Sequence, residues 1–330
     1  MSTTHARPTK PYLTALAITG AGVAAAYLVG TAVPVVSALT IAVVLGILAG
    51  SLPALSDETR KAISGVTKKL LRAGVVLLGL QLSLPSVLAL GPGTLLTVVL
   101  TVGITFLGTI GLGRLLGVPR GLAMLVATGF SICGASAIAA MEGIVEREDS
   151  DVATAVALVT FYGGLAIAAV PLLGGWLRLD AVRIGEWAGL SVHEVAQVVA
   201  AATPAGGAAV AVAIVIKLSR VVLLAPMVAA VGVHERHRPA DGGKRPPLVP
   251  LFVLGFLAMA ALRSTGIVPG AALDVAKVGC TLLLAGALFG LGCAVRIGTL
   301  VRTGGRALLL GLLSTLLVGT TALVTLAVLG

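Results

Sequence analysis

Four residues able to carry charge, protons or hydrogen bonds stand inside one otherwise apolar run. They are Ser191, His193, Glu194 and Gln197 in Gly189-Leu-Ser-Val-His-Glu-Val-Ala-Gln-Val-Val-Ala-Ala201. An ionisable group at the centre of a bilayer costs roughly 2.5–3.5 kcal/mol on insertion scales, so one found there is a functional candidate by default. An imidazole titrates near pH ~6.5 when unperturbed, which suits His193 to carrying a proton. Glu194 can exchange that proton or balance a cation, and Gln197, one turn on, can orient either residue. In the next apolar run Lys217 and Arg220 are three apart and share a helix face. They form an anion clamp, with the guanidinium offering paired donors to a sulfate- or carboxylate-like group. A third group is Ser131, Cys133, Gly134 and Ser136 in Thr128-Gly-Phe-Ser-Ile-Cys-Gly-Ala-Ser136. A helix broken here releases backbone amides, and the following half-helix turns its positive end toward an anion. The expected division of labour is proton coupling by His193 and Glu194. Substrate binding falls to Ser131, Cys133, Gly134, Ser136, Gln197, Lys217 and Arg220. Glu142 and Gln81 are secondary candidates that an aqueous vestibule would equally explain.

The elements that must hold these residues are membrane helices. The 330 residues are 58% hydrophobic and 11% charged, with mean hydropathy +1.10, whereas a soluble domain is about 25% charged. A spanning helix needs about 20 mostly apolar residues. On that criterion eleven spans are expected, near residues 12–29, 33–52, 69–90, 93–116, 120–142, 151–176, 184–203, 206–232, 248–263, 271–294 and 306–329. With the N-terminus inside and the C-terminus outside, most of the 23 basic residues fall in inner segments. Only Arg147 and Arg263 lie outside, and Lys217, Arg220 and Lys277 lie within spans. This is the positive-inside pattern, and it explains the net charge of +10 without a nucleic-acid partner. Residues 53–68 read as an amphipathic interfacial helix, and 233–248 as a Pro- and Gly-rich cytoplasmic linker. The first span also fits a signal peptide, although it is long for one. Cys133, Cys280 and Cys293 have neither disulfide nor metal spacing. No phosphate-binding loop motif occurs, no cofactor is implied, and no nucleophile elbow supports an intramembrane enzyme.

Setting the first helix apart (1–30) leaves ten spans, which divide into halves 31–178 and 179–330. An odd number of spans per half inverts the second half relative to the first, the arrangement of inverted-repeat transporters. The expected fold is an all-α polytopic membrane protein with two inverted five-helix repeats and crossing broken helices. The mate of the 120–142 span is then the 271–294 span, where Ala285-Gly-Ala-Leu-Phe-Gly-Leu-Gly292 supplies a similar weak point. The Ser191-x-x-Glu194 capping box marks a helix start halfway along the 184–203 span. That span runs parallel to 120–142 in this topology and is not its mate.

Several of these stretches resemble the YeiH-type family, whose members carry a sulfate-exporter label. They are Arg72-Ala-Gly-Val-Val-Leu-Leu-Gly-Leu-Gln-Leu-Ser-Leu84, Ser131-Ile-Cys-Gly-Ala-Ser136, Val192-His-Glu-Val-Ala-Gln-Val-Val-Ala-Ala201 and Lys217-Leu-Ser-Arg-Val-Val-Leu-Leu-Ala-Pro226. That family is similar in architecture to bile acid:sodium symporters and sodium/proton antiporters. The resemblance implies a core moving against a scaffold, often in a homodimer, and a small inorganic or sulfonated anion leaving the cell across the inner membrane. Protons are the expected coupling ion; a sodium-coupled organic-anion symporter is the alternative.

Overall fold

The computed structural model describes residues 9–32, 38–51, 55–236, 251–294 and 297–329; most of the expected 233–248 linker lies outside them. The described residues are helical throughout, with no strand. In chain order the helices are α1 (Thr9–Ala32), α2 (Ala38–Ser51), α3 (Asp57–Leu78), α4 (Leu84–Leu88), α5 (Gly91–Leu115), α6 (Arg120–Ser131), α7 (Ala135–Met141) and α8 (Asp149–Trp176). They continue as α9 (Ala181–Ser191), α10 (Val195–Ala202), α11 (Gly207–Val222), α12 (Leu224–Arg236), α13 (Leu251–Ser264), α14 (Gly270–Ala294) and α15 (Ile297–Leu329). Among the described residues six apolar segments are long enough to cross a membrane, namely Pro11–Thr31, Gly91–Leu115, Ser150–Trp176, Gly207–Glu235, Gly270–Cys293 and Gly304–Leu329.

Two packed groups frame the site. In the first, α14 runs antiparallel to α3, Cys280 donating to the Gly74 carbonyl at one end and Arg60 to the Cys293 carbonyl at the other. Residues 57–68 are therefore the first turns of a full-length packed helix, not a separate interfacial one. Ser56 starts that helix by accepting from the Thr59 amide. α1 packs on the same group, with Ala15, Thr19 and Ala26 buried. In the second group α5 and α15 are antiparallel and joined by Thr101···Thr325 (3.3 Å) and Thr109→Ser314 (3.0 Å). Interhelical hydroxyl bonds of this kind substitute for the hydrophobic drive that lipid does not provide.

Between these groups the chain departs from the expected topology. A straight helix over residues 120–141 would hold its ends ~30 Å apart. Instead, a Cβ on Gly121 would lie 2.8 Å from the Glu146 carbonyl oxygen and 2.9 Å from the Asp151 carboxylate, and Gly129 packs 2.9 Å from the Ile138 side chain on the same measure. α6 and α7 thus form a re-entrant hairpin that enters and leaves on one face. That face also holds Arg120, paired with Glu235 at the end of α12, and Arg306, which lies against Gly117.

α9 and α10 double back in the same way. Gly185 and Gly189 of α9 sit against Ala209 and Ala213 of α11, so α9 and α11 run parallel. Only four residues, 203–206, join the end of α10 to Gly207, a reach of at most ~18 Å over five Cα steps, so α10 must return to the face from which α9 began. That is the opposite face: Arg183 near the start of α9 donates to the Leu326 carbonyl near the C-terminal end of α15.

The expected spans 120–142 and 184–203 are therefore hairpins and not crossings, and α8 runs opposite to its expected direction. Arg147 moves to the basic face, and Arg178 and Arg183 leave it. Among the described residues Arg60, Lys61, Lys68, Arg114, Arg120 and Arg306 keep their expected side, so the charge bias survives the change. The expected break in 271–294 is absent, since α14 is continuous from Gly270 to Ala294. Its glycines serve close packing: a Cβ on Gly292 would meet the Val43 carbonyl at 2.5 Å and the Ile47 amide at 2.9 Å, and Gly286 lies against Leu70 and Val23.

Candidate functional site: two hairpin tips joined by buried cations

Each tip is a short unwound segment. In the first, Ile132 leaves the helix (φ −115°, ψ −93°) and Gly134 takes φ +74°, ψ −132°, after which α7 begins. A side chain is strained in that conformation, which is the local reason for glycine at 134. In the second, Val192 and Glu194 are extended on either side of His193, and Glu194 starts α10. The capping box read from sequence forms here with different members. The Glu194 amide donates to Gln197 Oε1 (3.1 Å), and the Glu194 carboxylate caps α10 in return. Ser191 instead ends α9, donating back to the Trp187 carbonyl.

The tips meet beside the middle of α8. A Cβ on Gly134 would lie 2.7 Å from Glu194 Cγ, 3.3 Å from its Oε1 and 2.9 Å from Val159. Gly163, a turn further along α8, gives room for the Gln197 amide, whose nitrogen points at the Thr160 carbonyl (3.5 Å). Phe130 packs on His193 with ring centroids 4.2 Å apart and the planes tilted by 49°. Sequence reading did not single out Phe130 or Gly163, because an aromatic and a glycine in apolar helices carry no signal until a partner faces them.

An unwound backbone inside a membrane protein exposes carbonyls that lipid cannot satisfy. Lys217 and Arg220 of α11, both completely buried, take that role. Lys217 Nζ donates to the Val192 carbonyl (2.8 Å) and to the Ile132 carbonyl, one from each tip. Arg220 donates from Nε to Ser131 O (3.1 Å), from Nη1 to Gly189 O (3.0 Å) and Val192 O (3.1 Å), and from Nη2 to Phe130 O (3.0 Å) and Ser131 O (2.8 Å). A guanidinium has five N–H donors, and all of them are directed at main-chain oxygen. From sequence only their charge is evident; the fold brings both beside the two tips. Their hydrogen bonds, in this conformation, staple the two hairpins together.

The remaining polar groups fall into two sets. Ser131 Oγ turns back to the Thr128 carbonyl, and Cys133 Sγ and Ser136 Oγ lie 2.8 Å apart across the first tip. By contrast, Glu194 Oε1 and both ring nitrogens of His193 make no well-formed hydrogen bond, although the Ala135 amide faces the Glu194 carboxylate and the Phe130 carbonyl faces the ring. Neither Lys217 nor Arg220 forms an ion pair with Glu194 or Glu186 among the described residues; Glu186 lies 3.4 Å from Arg183. Gln81 sits in the turn after α3, beside Cys280 and away from the tips. Glu142 lies 3.8 Å from Lys68 and 3.6 Å from Arg147, at a cavity of about 340 Å³ between α3, α7, α8 and α14. That cavity also exposes Arg60 and Lys61 and reaches Ala135, the first residue of α7. No cluster of His, Cys, Asp or Glu suited to a metal occurs among the described residues.

The sequence matches a family model described as conserved hypothetical protein 698 over residues 13–311. A UPF0324 membrane protein of Corynebacterium glutamicum is 45% identical over 290 residues, covering 87% of this chain and 84% of the relative. UPF0324 membrane proteins of Brucella melitensis (37% identical over 280 residues; 84% of this chain, 78% of the relative) and Bacillus cereus (33% over 279 residues; 83% and 82%) are also similar. With the membrane-length helices, the hairpin site and these matches together, the chain belongs to the UPF0324 family of multi-pass membrane proteins.

Proposed function

We propose that this protein is a secondary transporter of the cell (inner) membrane that moves a small sulfate-, sulfite- or sulfonate-like anion by alternating access, coupled to protons. One observation carries the reading. Two completely buried cations, Lys217 and Arg220, form no ion pair among the described residues, and Glu194, near Lys217, is the carboxylate beside them where two half-helices begin. Arg220 stays charged at any physiological pH, and a buried charge without a counter-charge is costly. The positive ends of α7 and α10 add to that field, so an anion is the ligand the centre favours. The cavity at Arg60, Lys61 and Lys68 supports an approach for that anion from the basic face.

In this reading α1, α2, α3, α5, α8, the α11–α12 pair, α13, α14 and α15 cross the membrane. The inverted symmetry is carried by shorter units than five helices: α6–α7 with α8, and α9–α10 with α11–α12. Each unit is one hairpin followed by one crossing helix, entering from opposite faces. His193 and Glu194 accept and release the coupling protons. Sodium is the weaker choice because five tip carbonyls, the natural cation ligands, already face Lys217 or Arg220.

Purified protein in liposomes should accumulate labelled sulfate or sulfite against its gradient when a pH difference is imposed, with no dependence on sodium. His193→Gln should flatten the pH dependence while leaving thermal stability close to wild type. A sodium requirement, or a pH profile unchanged in His193→Gln, would sink the coupling scheme. Absence of flux for any oxyanion would sink the substrate class.

A further inference from the structure

A second cavity, of about 360 Å³, opens on the basic face between α5, α6 and α12, remote from the hairpin tips. Its wall is apolar, with Phe106, Ile110, Val118, Met124 and Val231, and its rim is basic, with Arg114, Arg120 and His234. Arg306, at the level of the Gly117 turn, would lie 3.4 Å from a Cβ on that glycine and adds another guanidinium beside the rim. Arg114 and Arg306 are both exposed, whereas Arg120 is held by both carboxylate oxygens of Glu235. The rim and its neighbourhood thus carry three arginines, of which Arg120 is paired with Glu235. The sidedness rule puts this face at the cytoplasmic leaflet, where anionic lipids give the surface a negative potential.

We propose that this cavity binds one anionic phospholipid, its headgroup phosphate between Arg114 and Arg306 and one acyl chain along the Phe106–Met124 wall. An inorganic anion would use the rim and gain nothing from the wall; a zwitterionic lipid would use the wall and gain little from the rim. Only a ligand with both parts matches both surfaces. The site joins α6, the first arm of one hairpin, to α5 and the end of α12, so the lipid braces the base of that hairpin. This proposal does not depend on what the protein transports.

The test uses the full chain purified in a neutral detergent. Thermal unfolding is followed while phosphatidylglycerol, phosphatidylcholine of the same acyl chains, or sodium phosphate is added. Phosphatidylglycerol should raise the unfolding temperature saturably, and less so at high salt; the other two should not. Arg114→Gln combined with Arg306→Gln should weaken the effect on the order of tenfold or more. Ala230→Trp, which fills the cavity and keeps every charge, should abolish it. A lipid-free unfolding temperature equal to wild type shows that each variant is folded; if the double variant is not, Ala230→Trp alone decides. Equal stabilisation by phosphatidylcholine, an equal shift with phosphate alone, or an undiminished shift in Ala230→Trp would each overturn the proposal.

Discussion

Two stretches of this chain look alike in sequence and behave oppositely. Thr128–Ser136 and Ala285–Gly292 are both glycine-bearing stretches inside segments of spanning length and apolar character. The first breaks into a hairpin tip and the second stays helical. The difference lies in what faces each backbone. At the first tip Lys217 and Arg220 offer donors to Phe130, Ser131 and Ile132, replacing helix hydrogen bonds that the break removes. At the second, Gly292 meets the backbone of α2, and Gly286 meets side chains of α1 and α3. There, small residues bring helices together and the backbone keeps its helical hydrogen bonds. Glycine permits a break; a buried donor is what makes one stable.

The comparison is broken outright if the first stretch crosses the membrane like the second. Glu146→Cys should react with a membrane-impermeant maleimide from the same side as Arg114→Cys, and Arg178→Cys from the opposite side. Reversed labelling of Glu146→Cys and Arg178→Cys would restore eleven crossings. The next largest effect is expected at the staple. Arg220→Ala orphans carbonyls on both tips at roughly 1–3 kcal/mol for each buried acceptor, so the unfolding temperature should fall sharply and the buried Cys133 thiol become reactive. Arg220→Lys, with the charge but fewer donors, should fall between. Equal behaviour of wild type and Arg220→Ala in both measurements would remove the staple.

Two glycine substitutions sharpen the contrast further. Gly134→Ala forces a side chain into a conformation costing roughly 1–3 kcal/mol and presses on Glu194, so it should alter Cys133 reactivity and any anion transport. Gly292→Ala should destabilise the α2–α14 contact while leaving Cys133 protected in the folded protein. If both alter Cys133 equally, the two regions are not separate. The smallest effect belongs to the α5–α15 scaffold. Thr109→Val removes one interhelical bond to Ser314 and should cost about 0.6 kcal/mol, measurable by unfolding and without consequence at the tips.

The polar centre was legible because water-seeking residues are rare in a chain this apolar. Ser131, Cys133, Gly134, Ser136, His193, Glu194, Gln197, Lys217 and Arg220 do converge. Two features were hidden. Hydropathy counts residues between charges, and a hairpin of two short helices holds as many as one straight crossing. The charge rule did not expose the error because inverting only the segment from α6 to α10 moves few basic residues. Gly163 and Phe130 were invisible for a related reason, since each matters only through what packs against it.

Composition and residue spacing alone make this chain a membrane-embedded helical protein with titratable and cationic groups inside its apolar segments. Those conclusions rest on the cost of placing each residue type in hydrocarbon, which is local. Tertiary structure decided which helices break, which way the segments run, and whether a buried cation faces a ligand or a carbonyl. Those depend on the donors and acceptors that distant segments bring to one point. Lys217 bonds to residues 85 and 25 positions away, and no window along the chain contains that meeting.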